Sequence, residues 1–528
     1  MNPAVQSLAI APLLAALGLS LASCDSGPLE RAEAPKVLHF PAPYLGATIV
    51  TRDRSPDPNA IFIDWPPENH GFIPHLAGYG RFAFDRAGGL AGPLNRDLRL
   101  DADWSMPVNA NGDVTIEPGR EALLDLSRGR GADLRSLRSL PPGAVQHLRL
   151  GDENTTSSIR NLAALPNLRD SIRGLHLNWG GEEPNPDSLR ELIGLKRLQM
   201  LVIDGRGPYL ARESVRAITE LKGLRRLDFR IGRFHSGDLE LIERLGSLER
   251  LDLPFVRLNE GADPPCLSKL DNLRFLRVSE VESDRSRVDT TVFGGMEKLE
   301  TLEFSIKRPA VDLAPLADLP SLRSLTLELN YANSASDLPA LRVLTQVRSI
   351  SLSLDTLSAS HVNALAGVEN LTELRARSVD LDGPSWNRLA ELISLERLSI
   401  YRGWGALRPN QPDYASRAIA KLPRLRDLTL HQGRLPAESL EAIAALTPLE
   451  SLALVGVPLN DDRLRAIAGM KGLKTLILGL SASSEWGRPT STGYGALAAL
   501  PALETLALDR VDLGAEDFDA LAKLAGLR

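Results

Sequence analysis

One six-residue pattern recurs along most of the chain and governs what it can fold into. In the stretch LESLALVGVPLNDDRLRAIAGMKGLKTLIL, residues 449–478, Leu449, Leu452 and Leu454 are spaced L-x-x-L-x-L. Val457 and Leu459 extend the apolar run. Asn460, Asp461 and Asp462 follow, a natural helix N-cap because their short side chains accept from the first unpaired amides of a helix. Leu464, Ile467 and Ala468 then fall at helical spacing. Gly472 stops the helix, and Leu473, Leu476 and Leu478 restart the pattern. One strand, one turn and one short helix therefore fit in about 24 residues.

The third apolar position of the pattern recurs at Leu150, Leu177, Ile203, Phe229, Leu253, Val278, Phe304, Leu327, Leu352, Ala376, Ile400, Leu430, Leu454, Leu478 and Leu508. That is about fifteen copies at intervals of about 23 to 30 residues. Gly194, Gly223, Pro320, Pro423, Pro448 and Pro501 stand where the helices must end. A single unit of this size cannot bury its own apolar face. Stacked units can, so a quasi-one-dimensional solenoid is expected in place of the several globular domains that 528 residues would suggest.

The repeats resemble the leucine-rich-repeat family over residues 143–528. The longer helical half of each unit is similar to the ribonuclease-inhibitor-like subtype. The resemblance implies an α/β solenoid with a curved parallel sheet on the concave side and short helices on the convex side. One departure matters. The commonest pattern places Asn or Cys three residues after the L-x-L, where it ties neighbouring turns. Here that position holds Val256, Val281, Val379, Val457 and Val511, or Gly232 and Gly433. Apolar packing must supply the tie.

Residues 38–142 lack the repeat. Short β-type runs at 47–50, 61–63 and 114–116 alternate with Pro and Gly, and Asn111-Gly112 is a hairpin-turn signal. The segment resembles the β-rich region preceding the repeats in many bacterial leucine-rich-repeat proteins. It is expected to be a small β-rich domain capping the first strand, with Trp65 and Trp104 in its core.

At the N-terminus, Leu8 to Leu21 form an apolar run of about 14 residues, the length of a signal-peptide core and short for a bilayer span. No Lys or Arg precedes it. Leu21-Ala22-Ser23-Cys24 resembles the bacterial lipobox. That resemblance implies a signal peptide over 1–23, lipidation of Cys24 and a tether over 24–37 holding the protein at a bacterial envelope membrane, outside the cytoplasm. Asp25 resembles an inner-membrane retention signal. Two cysteines, Cys24 and Cys266, are too few for a disulfide framework. Cys266, at the start of a repeat helix, reads as a buried thiol.

Strand side chains alternate, so the residues flanking the second leucine and following the third point out of the concave face. Early turns present His147, Arg149, His176, Asp204, Arg226, Asp228, Arg250 and Asp252; middle turns present mostly Ser and Thr; the last turns present Ser451, Ala453, Val455, Thr475, Ile477, Thr505 and Ala507. A net charge of −6 and a face of mixed sign disfavour nucleic acid, which requires a continuous basic track. Arg375, Arg377, Arg397, Tyr401 and His431 cluster on three adjacent turns and include residue types enriched at binding hot spots. Three turns carry insertions with Trp179, Trp404 and Trp486, expected either to pack on their own repeat or to contact a ligand at the rim. His147 and His176 lie in neighbouring turns without a third metal ligand. No G-x-S-x-G, H-E-x-x-H, Walker or dinucleotide motif occurs.

These features point to a non-enzymatic recognition protein without cofactor, binding a protein partner through the concave face and rim. The alternative is an envelope module binding glycan or peptidoglycan, with Trp404, Trp486, Tyr401 and Tyr414 as stacking faces beside Asp, Asn or Arg.

Overall fold

A computed structural model of the chain describes residues 36–40, 48–53, 108–109, 112–116, 120–126, 134–151, 155–179, 184–205, 210–258, 267–283, 288–306, 311–329, 338–354, 357–377, 381–401, 414–431, 437–446, 448–479, 488–509 and 513–527. Four short strands come first: β1 (Lys36–Phe40), β2 (Thr48–Asp53), β3 (Val108–Asn109) and β4 (Gly112–Ile116). The repeat strands begin with β5 (Arg120–Asp125), β6 (His147–Gly151), β7 (Gly174–Trp179), β8 (Met200–Gly205), β9 (Arg226–Phe229), β10 (Phe234–His235), β11 (Arg250–Leu253) and β12 (Val256–Leu258). They continue through β13 (Phe275–Ser283), β14 (Val288–Asp289), β15 (Thr301–Ile306), β16 (Val311–Asp312), β17 (Ser324–Leu329) and β18 (Ser349–Ser353). The last are β19 (Glu373–Arg377), β20 (Arg397–Tyr401), β21 (Asp427–His431), β22 (Ser451–Val455), β23 (Thr475–Gly479) and β24 (Thr505–Asp509).

From β5 to β24 the main strands pair in parallel, turn after turn, in one sheet. The third apolar position stays in register throughout: Leu150 faces Leu177, then Ile203 and Phe229, and the row runs on to Leu454, Leu478 and Leu508. Every side chain of that row is buried except Leu508, which is half-buried in the last described strand. With the other two apolar positions these residues form one continuous core from Ile116 to Leu524.

The convex side is not uniform. Short α-helices such as Arg212–Ile218 and Ser236–Ile242 back the early strands, and Ala359–Ala366, Asp461–Ile467 and others back the late ones. Among the described residues, four central turns carry 3-10 segments and no α-helix, at Leu267–Lys269, Thr290–Phe293, Ala314–Asp318 and Leu338–Val343. The Asn460 cap forms as its residue type requires, its side chain accepting from the Arg463 amide at 3.1 Å.

Neighbouring turns are tied in two ways. At the position that usually holds Asn, Val256 and Val281 pair in register and are buried, and Val457 is fully buried. At the entry to each strand, a backbone amide donates to the carbonyl one turn back, as in Arg225 to Gln199, Glu249 to Arg225 and Arg274 to Glu249, all at 2.7 to 2.8 Å. Side chains at that position pair as well, for example Arg274 with Glu300 at 2.7 Å and Arg426 with Glu450 at 2.9 Å.

The parallel sheet starts earlier than residue 143. β5 already pairs in parallel with β6, matching Leu124 to Leu148. β2 lies antiparallel along the other edge of β5, and β3 along β2, so the first parallel strand is covered. β1 and β4 form a separate antiparallel pair.

Candidate functional site

Three outward rows cross the concave sheet. Among the described residues they divide it into sections of different chemistry.

In the first section the outward side chains are charged, mostly buried and paired with one another. Arg149 donates to Asp125 at 2.9 Å and to His176 Nδ1 at 3.1 Å. Accepting at Nδ1 leaves the His176 proton on Nε2, which faces Asp204 at 3.5 Å. Arg230 reaches the same carboxylate at 3.3 Å. Burial pushes the Asp204 carboxyl up, but the His176 hydrogen bond and Arg230 outweigh it and hold its pKa near 2. Burial pushes the His176 imidazole down, so it is neutral. Further along, Arg226 grips Asp228, and Arg277 joins Asp252 to Glu303. The ring of Phe275 lies under Arg250 at 3.8 Å. His147 belongs to a different row from His176 and faces Glu121 at 3.3 Å. The two imidazoles thus serve separate carboxylates and do not converge on a common point.

The second section, on β17 and β18, is a floor of half-buried small hydroxyls: Ser324, Thr326, Ser349, Ser351 and Ser353. The third holds the residues expected to form a patch. Register places Arg377, Tyr401 and His431 in one row and Arg375 beside Ser399 in the next. The Tyr401 and His431 rings stack at 4.8 Å with 28° between their planes. Arg375 and Arg397 converge on Glu373, Arg397 at 3.0 Å. Arg397 is exposed, while Arg375, Arg377 and Tyr401 are half-buried. Burial lowers the His431 pKa to about 4 and raises that of the Tyr401 phenol to about 12, so both are neutral near pH 7. Glu373 organises this patch and is absent from the expected set; its register position opposite Arg397 is the signal that could have found it.

Beyond β21 the middle outward row turns apolar, while Ser451, Thr475 and Thr505 continue the row beside it. Ala453, Ile477 and Ala507 form a small buried cluster of their own, separate from the main core. Between β17 and β21 the outward side chains are half-buried or exposed, apart from the buried Glu373 and His431.

Trp179 ends β7 and is buried in the core, lying against Gly205 of the next turn. Tyr414 also packs against the core, and its ring fills the space where a Cβ on Gly383 would stand. Trp404, Trp486, Cys24 and Cys266 lie outside the described residues.

Strand after strand, the same three apolar positions fall in register beneath an outward face of alternating residues. The fold is a leucine-rich-repeat solenoid. Among solved structures, it is similar to an internalin of Listeria monocytogenes, at 18% identity over 69% of this chain and 96% of that one, with a TM-score of 0.38. It is also similar to a leucine-rich-repeat protein of Leptospira interrogans, at 19% identity, 75% and 98% coverage and a TM-score of 0.38. A third is the leucine-rich-repeat ectodomain of a plant membrane receptor kinase from Arabidopsis thaliana, at 17% identity, 74% and 50% coverage and a TM-score of 0.30. Likeness at this level carries no weight beside the solenoid's own register. No family model and no curated protein matches the chain.

Proposed function

We propose that this solenoid is a non-enzymatic recognition protein that grips a protein partner on the concave face between β17 and β21, and that a lipidated Cys24 holds it at a bacterial envelope membrane. The observation that carries the protein reading is the state of the rings. One face of Tyr401 is occupied by His431, and Tyr414 is packed on Gly383. A sugar platform needs an open aromatic face, and these contacts already take up one face of Tyr401 and part of the Tyr414 ring. Protein contacts tolerate such packed rings, because a half-buried aromatic beside Arg is already held stiff and loses its remaining water only on binding.

The mechanism is pre-organisation. Arg375 and Arg397 are already oriented by Glu373, and the β-sheet floor is continuous, so little ordering cost falls on binding. Charges of both signs are internally matched, which favours a partner of mixed polarity over a polyanion such as nucleic acid.

The test begins with cross-linked capture of partners from the native cell. Replacing Tyr401→Ala together with Arg375→Ala should weaken a captured partner by about 2 kcal/mol or more. An unchanged affinity removes the patch from the reading.

A further inference from the structure

Two carboxylates stand side by side in the charged section. Asp228 on β9 and Asp252 on β11 are direct register partners, so the strand spacing of about 4.8 Å puts like charges in one outward row. Asp228 is well served: Arg226 donates to it at 2.9 and 2.5 Å, and Arg250 approaches at 3.8 Å. Asp252 is served less well. Arg277 reaches it at 3.2 Å but holds Glu303 more closely, at 2.6 Å. One guanidinium thus bridges carboxylates on β11 and β15 from its seat on β13.

The groups acting on Asp252 are Asp228 from β9, Arg250 from its own strand, Arg277 from β13 and Glu303 from β15, with Arg226 of β9 behind Asp228. The Asp252 side chain is only 16% exposed, and that of Asp228 only 6%. Three carboxylates and three guanidiniums share this space, and Asp252 has the weakest claim on a cation.

We infer that Asp252 is a proton latch in the concave face: on taking one proton from solvent it releases its share of Arg277, which then rests on Glu303 alone. No other bond forms or breaks, and the adjacent carboxylate pair on β9 and β11 changes from two negative charges to one. The direction of titration agrees. Burial raises the Asp252 pKa, Arg277 pulls it back, Asp228 and Glu303 push it up again, and it stands at about 6. The ordinary value is 3.8, so the folded seam holds this proton more tightly than the unfolded chain does. Mild acid therefore favours the folded seam, and that gain is lost as pH rises through 6. The latch does not depend on the partner reading above.

Hydrogen exchange of the full chain, corrected for the intrinsic effect of pH, reads this directly. Amides of β11 and β13 should be about 10-fold better protected at pH 5 than at pH 7. Asp252→Asn should abolish that difference. Asp228→Asn keeps the titrating group but removes its like-charged neighbour, and should move the transition to lower pH; a merely structural loss would leave its midpoint in place. A wild-type profile that is flat from pH 5 to 7 overturns the latch. So does a transition that survives Asp252→Asn, or one whose midpoint Asp228→Asn leaves unmoved.

Discussion

Glu373 holds the exposed patch together, because two guanidiniums lean on its one largely buried carboxylate. Removing one member of a buried ion pair strands the other charge, at a cost that falls as exposure rises. Glu373→Gln should therefore destabilise the central turns by about 1–3 kcal/mol and let both arginines swing, measured by local hydrogen exchange across β19 and β20. His431 supplies a second expectation. Its folded pKa lies near 4, below the ordinary 6.5, so the unfolded chain takes up a proton that the folded one refuses. The stability it contributes is complete above pH 6.5 and is lost as pH falls toward 4. His431→Phe keeps a ring against Tyr401 and removes the titration. It should flatten the acid limb of thermal stability by about 1–3 kcal/mol relative to the parent chain. Asp252 acts in the opposite sense over part of that window, so the two are best separated by variants. At this scale the sequence revealed which residues share a face, since a period of two is enough for that. It did not reveal Glu373 as the organiser, because which carboxylate an arginine selects depends on rotamers across the register.

At the scale of the element, the repeat strands were legible because their three apolar positions never lose phase. The first parallel strand was not, and β5 shows why. Glu121 stands where the pattern wants its first leucine, and it is retained there by His147 at 3.3 Å. A polar residue paired across the sheet, here with His147 and with Arg173 at 3.7 Å, hides a strand from any hydrophobic count. Leu124 in this strand is fully buried. Leu124→Ala should cost about 2–5 kcal/mol, seen as early unfolding of the first turns on urea titration followed by exchange; a mild loss would mean that β5 is not part of the load-sharing core. The Val row makes a related point. An Asn ladder works only when each member finds a neighbour's backbone, and Val457 is fully enclosed by apolar contacts. Val457→Asn should destabilise by about 1–3 kcal/mol, checked by the thermal midpoint, because its amide would be buried without the partners such ladders provide.

At the scale of the whole molecule, stability is a sum over neighbours, and each turn is held chiefly by the turns beside it. Local damage should therefore stay local, and the position of the protein in the cell should depend on a site remote from the solenoid. Cys24→Ala should move the protein from the membrane to the soluble fraction, and unchanged fractionation would refute the anchor. The signal-like N-terminus and the Trp-bearing insertions are readable only as residue types, since neither belongs to the repeating register that makes the rest legible.

The thin convex layer behind β13 to β18 has a mechanical consequence. An arc bends because its outer elements need more room than its inner strands, about 8–10 Å between helix axes against 4.8 Å between strands. Where a narrow 3-10 segment replaces an α-helix, that mismatch shrinks and fewer contacts resist a change of angle. The turns from β13 to β18 are therefore where a change of curvature should meet least resistance, like the thin leaf of a spring between two more thickly backed runs of turns.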